Sequence, residues 1–454
     1  MGIVLGKPRQ ELREWSDLDI LWWKCLKWMW GFLWVSNASL GTPSVTFTEI
    51  ATPLPNIPTS KIHNLVAKST ISSYPHLFKI VTPVKVDWFE QLLLSHPNQP
   101  LVQSICLGFH KGLWPFVLFN ETAPITWDNS SHLLEELNLE FALKQHDEEI
   151  AVGHFSPAFC PDLLPGMYSM LIGVVPKPHS TGLHLITDHS TGDHALNNLI
   201  THANSSIKLD NLQHFGMISW SVTSSHGWPP AWLFKSDVSP VYWKILMHPL
   251  WQIKQINTFE GLWHVDQNMA FGTCTAPKIW CTFFSLVMWI AIYVYLCPDL
   301  LHYMDDMWLC EMDPVLTYYE PYDTWYTQKQ VKLLLLYDEL GLPHVKKTQV
   351  ISQSLKIIRL LVDPTNMTIS MSDLSCNNLV TAIWAFIKTT QLRRHLSSNG
   401  KGSLDGSIGA WTHTHLFVLP YNPCILKSPA NRSAVHRSIS TTLSFIISTG
   451  LQTQ

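Results

Sequence analysis

The stretch LLHYMDDMWLC, residues 300–310, sets Asp305 and Asp306 side by side inside a run that is otherwise apolar and aromatic. Adjacent like charges repel, and a carboxylate withdrawn from water must shift its pKa or find a cation. LLHYM and MWLCEM have strand composition, and Asp-Asp between them is turn chemistry, so the segment predicts a β-hairpin with its acids at the tip. A solvated turn and a metal site both fit the dipeptide alone. A partner acid elsewhere in the chain is what separates them.

That partner is Asp237, in AWLFKSDVSPVYWKILMHPLWQIKQI. AWLFKS reads as a strand ending at the acid, where Ser239 and Pro240 stop regular pairing. Two acidic strand ends, far apart in sequence, are a layout for divalent cations, which take carboxylate oxygens and substrate phosphates.

The 454 residues allow two or three domains, and 46% hydrophobic with 14% charged residues indicates a globular chain short of charge. Nine cysteines without a C-x-x-C pair indicate neither a zinc knuckle nor a disulfide framework, and so a reducing compartment. No signal-peptide layout opens the chain, and LWWKCLKWMWGFLWV at 21–35 carries Lys24 and Lys27. The uncharged IWCTFFSLVMWIAIYVYL, 279–296, fits a spanning helix or a buried one; the acidic hairpin directly after it favours burial. The expected location is cytoplasmic or nuclear, with no membrane partner.

A net charge of −4 argues against an evident nucleic-acid binder. The bases are skewed, however: seven arginines stand beside 22 histidines and 21 tryptophans. Most arginine codons begin with CpG, and deamination of methylated CpG yields His and Trp codons among others. The inventory is that of a once basic chain from a decaying, silenced gene.

GTPSVTFTEIATPLPNIPTS, 41–60, reads as a linker, and VDWFEQLLL, 86–94, as a helix. Residues 165–372 alternate strand-like and helix-like runs, an α+β or α/β body. Beyond 373 the pattern weakens into a Ser- and Thr-rich end.

SDVSPVY, NMAFGTCTAP and YMDD, in this order, resemble motifs A, B and C of reverse transcriptases. GMYSMLIGVVPKPHSTGLHLITDHSTGDHALNNLI resembles the fingers segment of polymerases from fungal retrotransposons, and the part from about 61, with SHPNQPLVQSICLGF, is similar to the region preceding the polymerase there. The resemblance implies an α+β right-hand fold with fingers and palm and an incomplete thumb. It divides the chain into an N-terminal segment and linker (1–60), an extension (61–164), fingers and palm (165–372) and a thumb or connection remnant (373–454). It further implies RNA-directed DNA polymerisation with two Mg²⁺ ions, or Mn²⁺, on an RNA template with a primer or DNA and dNTP.

By position, the resemblance gives Asp237 and Asp305 to the metals with the Val238 carbonyl, and Asp306 a supporting part, since adjacent strand residues face opposite ways. It places Tyr242 beneath the sugar, Phe271 and Gly272 at the nucleotide or template, and Lys177 on the triphosphate. His184, in LHLITDH, stands where relatives carry an arginine. ELGLPHVKKTQ resembles motif D, with Lys347 or Lys346 protonating the leaving pyrophosphate. SLKIIRLLVD resembles the primer-grip strand, with Arg359 where glycine is usual, and GAWTHTHLFVLPY, 409–421, a worn thumb. No RNase H or integrase set of acids follows. Two other readings remain at this stage: a relic without turnover, and a membrane-anchored interaction protein built around 279–296.

Overall fold

The computed structural model describes residues 44–117, 123–129, 136–159, 162–176, 182–201, 207, 209–227, 232–238, 245–358, 360–366 and 368–371. Lys177, Tyr242, Arg359, the 21–35 run and the thumb-like 409–421 lie outside these residues. The described fold is α+β, with every strand pairing within the sheets antiparallel.

Its centre is a four-stranded sheet in the order β10 (Val350–Ser352), β3 (Trp232–Asp237), β7 (Asp306–Glu311), β6 (Leu301–Tyr303). Alternation along β3 and β7 gives the sheet two apolar faces. Phe234, Met307 and Leu309 join the main core with α7 (Ala276–Tyr293) and α8 (Gln328–Leu340). Leu233, Trp308 and Cys310 pack instead with Phe215 of α6 (Leu212–His226) and with Leu355, Ile357 and Val362. The last three belong to a small sheet of β11 (Leu355–Ile357), β12 (Leu360–Asp363) and β13 (Thr368–Met371). Within SLKIIRLLVD, Leu355–Ile357 and Leu360–Val362 pair antiparallel rather than forming one strand, and Ile358 takes φ +46°.

The apolar run after residue 275 is a core helix. Helix α7 places Phe283 against Phe89 of α3 (Val86–Leu92) and Phe109 of α4 (Gln99–Lys111), with ring centroids 5.4 and 4.8 Å apart. Trp280 stacks on Phe284 one turn along. The helix is long and apolar enough to cross a membrane, but 72% of that window is buried within the protein.

The linker expected over 41–60 is corrected by the structure. Ser44–Ile50 forms helix α1, which packs on α7 and buries Val45 and Thr48. Ser and Thr suggest a loop because their hydroxyls compete for the backbone. Here Thr48 satisfies its own hydroxyl, bonding the Val45 carbonyl at 2.7 Å and His96 Nε2 at 3.0 Å. Asn98 then donates to the carbonyls of Thr48 and Ala51, so the segment is fastened into the core.

Phe283→Ala should therefore cost about 3–5 kcal/mol of stability, the usual toll for a fully buried ring. Urea unfolding of the purified protein measures it; a loss below about 1 kcal/mol would mean α7 is not packed as described.

Candidate functional site

The acidic hairpin forms as its turn chemistry predicts, with one adjustment. Tyr303 pairs with Asp306, leaving Met304 and Asp305 as the two-residue tip, and Met304 takes φ +60°. Asp305 is at the turn while Asp306 opens β7.

Asp306 is also the Cα partner of Asp237 across the β3–β7 ladder. Directly paired residues share a face, so the two carboxylates stand on the same side of the sheet. Alternation, from which Asp306 was expected to face opposite to Asp305, does not apply, because Asp305 lies in a turn. What sets Asp306 apart is its partner, because Lys235 Nζ donates to its Oδ2 at 2.8 Å.

The other two acids have no such relief. Asp237 is pushed up to about 7 by burial and then by Asp305 and Asp306, against the pull of Lys235. Asp305 is pushed up to about 6 by burial and then by Asp306. Asp237 Oδ1 is buried without a hydrogen-bond partner.

Such a corner fits divalent cations that prefer oxygen: crowded carboxylates, one buried oxygen unsatisfied, and pKa values raised by burial and then by mutual repulsion, which an ion would reverse. Among the described residues no group of three or more His, Cys, Asp or Glu side chains is arranged to hold a metal ion by itself. An ion bound here would have to complete its coordination with water and substrate oxygens, as Mg²⁺ ordinarily does.

Backbone contacts hold the corner together. Val238 is fully buried, donates its N–H to the Asp305 carbonyl at 3.4 Å and bridges His344. Gln349 donates to the Asp237 carbonyl at 3.0 Å and accepts from the Ser236 hydroxyl. Composition around Gln349 carries no catalytic pattern that would single it out in the sequence. Its neighbour Lys347 is exposed on the same turn, two residues from that anchor. Lys346 is instead tied to the Tyr322 carbonyl, which separates the two lysines.

A second group assembles beside β1 (Leu171–Pro176) and β2 (Leu183–Asp188). His184, opposite Val175, stacks on Phe271 with centroids 5.5 Å apart and planes at 26°. Gly272 is required sterically, since a Cβ there would lie 1.8 Å from the Thr187 carbonyl oxygen. Asn197 clamps the turn, donating to the Gly272 carbonyl at 2.7 Å and accepting from the Cys274 N–H at 2.9 Å. The turn leads into α7, whose Trp280 Nε1 donates to the Met304 carbonyl at 3.0 Å. One helix thus connects the glycine turn to the acidic tip.

No protein-family model and no curated protein matches the chain. Among solved structures, it resembles the foamy viral protease-reverse transcriptase dRH in complex with double-stranded DNA at 14% identity and TM-score 0.41, covering 68% of this chain and 51% of that one. It also resembles the same viral enzyme in complex with an RNA/DNA hybrid (12%, TM-score 0.38, 68% and 39%) and the native prototype foamy virus enzyme (12%, TM-score 0.38, 77% and 48%). The chain spans about half the length, or less, of these three structures. Residue roles below rest on this chain's own motifs and geometry.

A carboxyl with a raised folded-state pKa favours folding while protonated; that contribution is whole below its ordinary value and is lost as pH rises through the raised one. For Asp237 and Asp305 the loss falls between about pH 4 and 7, the interval from the ordinary value to the raised ones. In metal-free protein Asp237→Asn should therefore raise Tm at pH 7.5 by about 2–6 °C, and the gain should vanish towards pH 4. Thermal unfolding in chelator across that range is the check. A variant less stable than the parent at pH 7.5 would contradict the repulsion.

Proposed function

We propose that the chain is a template-directed nucleotidyltransferase of the reverse transcriptase class, joining a dNTP to a primer 3′-hydroxyl with two Mg²⁺ ions. The observation that carries the reading is the meeting of Asp237 and Asp305, the acids of two separate motifs, at one end of a single sheet.

When bound, the ions stabilise the entering and leaving oxygens of an in-line displacement at phosphorus. Asp237 and Asp305 would hold them, with the Val238 carbonyl the backbone oxygen nearest in sequence. Lys235 keeps Asp306 neutralised, so that Asp306 shapes the field around the ligands. Gln349 and Trp280 fix the two backbone segments that present the acids. The Phe271–Gly272 turn, held against the Thr187 carbonyl, would present main chain to nucleotide or template, and Lys347, or Lys346, would give a proton to departing pyrophosphate. RNA template, primer and dNTP are the partners in this reading, and a fungal retrotransposon the source. Tyr242 and Lys177 would act on the sugar and the triphosphate.

The test is primer extension on an RNA template by the purified protein. Asp237→Asn and Asp305→Asn should each abolish incorporation in folded protein, while Asp306→Asn, which spares both ligating groups, should cost less. Small, equal effects at all three would sink the metal assignment.

A second reading, a relic with impaired turnover, is favoured by His184. Where relatives carry arginine, this side chain lies flat on Phe271 and offers phosphate no planar charged fork. The missing charge-assisted bond amounts to about 1.5–3 kcal/mol, so His184→Arg should raise kcat/KM for dNTP about tenfold to a hundredfold. If the arginine variant is no better, the relic reading gains over the active one.

A further inference from the structure

A pair of imidazoles lies well outside the motifs that carry the nucleotidyltransferase reading. His146, on α5 (Glu136–Ala151), meets His264, on β5 (Leu262–Val265), with their Nε2 atoms 3.2 Å apart and ring planes at 77°. Both residues are buried, at 8% and 2% exposure. Phe155 and Phe259 pack beside them, with Phe259 at the end of β4 (Ile256–Phe259).

The outer nitrogens define which protons are present. His264 Nδ1 lies 2.9 Å from the Ser156 carbonyl, which can only accept, so Nδ1 carries the proton. His146 Nδ1 lies 3.1 Å from a carboxylate oxygen of Asp147, which orients it the same way. A proton on His146 Nε2 would make the contact an imidazolium–imidazole hydrogen bond backed by Asp147; without that proton, both Nε2 atoms present lone pairs to one another. Two facing lone pairs repel unless something positive sits between them, and burial disfavours an imidazolium: His264 is held below the ordinary imidazole range by burial and then by His146, against the Ser156 bond.

A metal ion between the two Nε2 atoms resolves the conflict without burying an imidazolium. With nitrogen–metal distances of about 2.05 Å, the observed N···N separation corresponds to an N–metal–N angle of about 103°, close to tetrahedral. Carboxylate and carbonyl acceptors on the far nitrogens are the outer contacts that metal-binding histidines usually make. The pair opens on a cavity of about 380 Å³, lined also by Asp147 and Glu260, where water or an oxygen donor can complete the coordination.

We propose that His146 and His264 form a two-imidazole site for a borderline divalent transition ion, Zn²⁺ foremost, clipping α5 to the β4–β5 hairpin. Imidazole ligands select against Mg²⁺, so the site is chemically separate from the aspartate corner.

Thermal unfolding of metal-depleted full-length protein, with and without about 100 μM Zn²⁺, tests this. Zn²⁺ should raise Tm by about 3–6 °C in the parent and in Asp237→Asn, and His146→Gln and His264→Gln should each lose that rise. Cu²⁺ should show the nitrogen hyperfine pattern of two imidazoles in electron paramagnetic resonance, reduced in either histidine variant. Should those variants fail to fold, Asp147→Ala decides: its side chain is 81% exposed, both ligands remain, and Zn²⁺ affinity should fall about tenfold. An equal Zn²⁺ rise in parent and histidine variants, no rise at all as a proton-sharing pair would give, or undiminished affinity in Asp147→Ala would overturn the site.

Discussion

Three carboxylates, Asp237, Asp305 and Asp306, are confined to one end of one sheet with a single lysine among them. Their repulsion is the constraint around which the described fold is organised. Burial and neighbouring negative charge act in the same direction, raising Asp237 and Asp305 together. Within the β3–β7 ladder Lys235 offsets this only in part, so the surrounding structure must hold the acids in place. It does so through neutral contacts to main chain: Gln349 on the Asp237 carbonyl, Val238 on the Asp305 carbonyl, and Trp280 on the Met304 carbonyl. Each fixes the backbone without neutralising the charge, which leaves the carboxylate oxygens available to cations.

A further anchor works from the opposite side of the hairpin. Asp210, buried ahead of α6, accepts the His302 N–H at 3.0 Å and lies beside the imidazoles of His214 and His302, 3.3 and 3.5 Å away. Those partners hold it well below the usual carboxylate range despite its burial. β6, which leads into Asp305, is thereby tied to α6 by a satisfied charge. The contrast with Asp237 is informative, since both are buried acids and only one is supplied with donors. A fold able to satisfy Asp210 leaves Asp237 Oδ1 without a partner.

The hairpin, the β3 strand and the buried helix after residue 275 were legible in the sequence because each is a local pattern: turn chemistry between apolar runs, an acid at a strand end, a long apolar stretch. Contacts between distant segments were not legible. The Asp237–Asp306 pairing depends on register, and register sets Asp306 on the same face as Asp237, which alternation along the hairpin could not show. Gln349 and Asn197 were invisible for the same reason: an amide that clamps main chain across the fold has no periodicity and no required neighbour. Ser44–Ile50 was read as a linker from Ser, Thr and Pro, whereas the hydrogen bonds that make it a core helix come from His96 and Asn98, about fifty residues away.

In the proposed nucleotidyltransferase, Asp237 and Asp305 hold divalent ions on a nucleotide. Mn²⁺ can stand in for Mg²⁺, and its free-ion resonance signal counts bound ions directly. Titrating Mn²⁺ into the protein with a primed RNA template and dNTP, beside Asp305→Asn under the same conditions, measures that count. The account predicts about two more tightly held ions per chain in the parent than in the variant. Equal binding by the two proteins would contradict it.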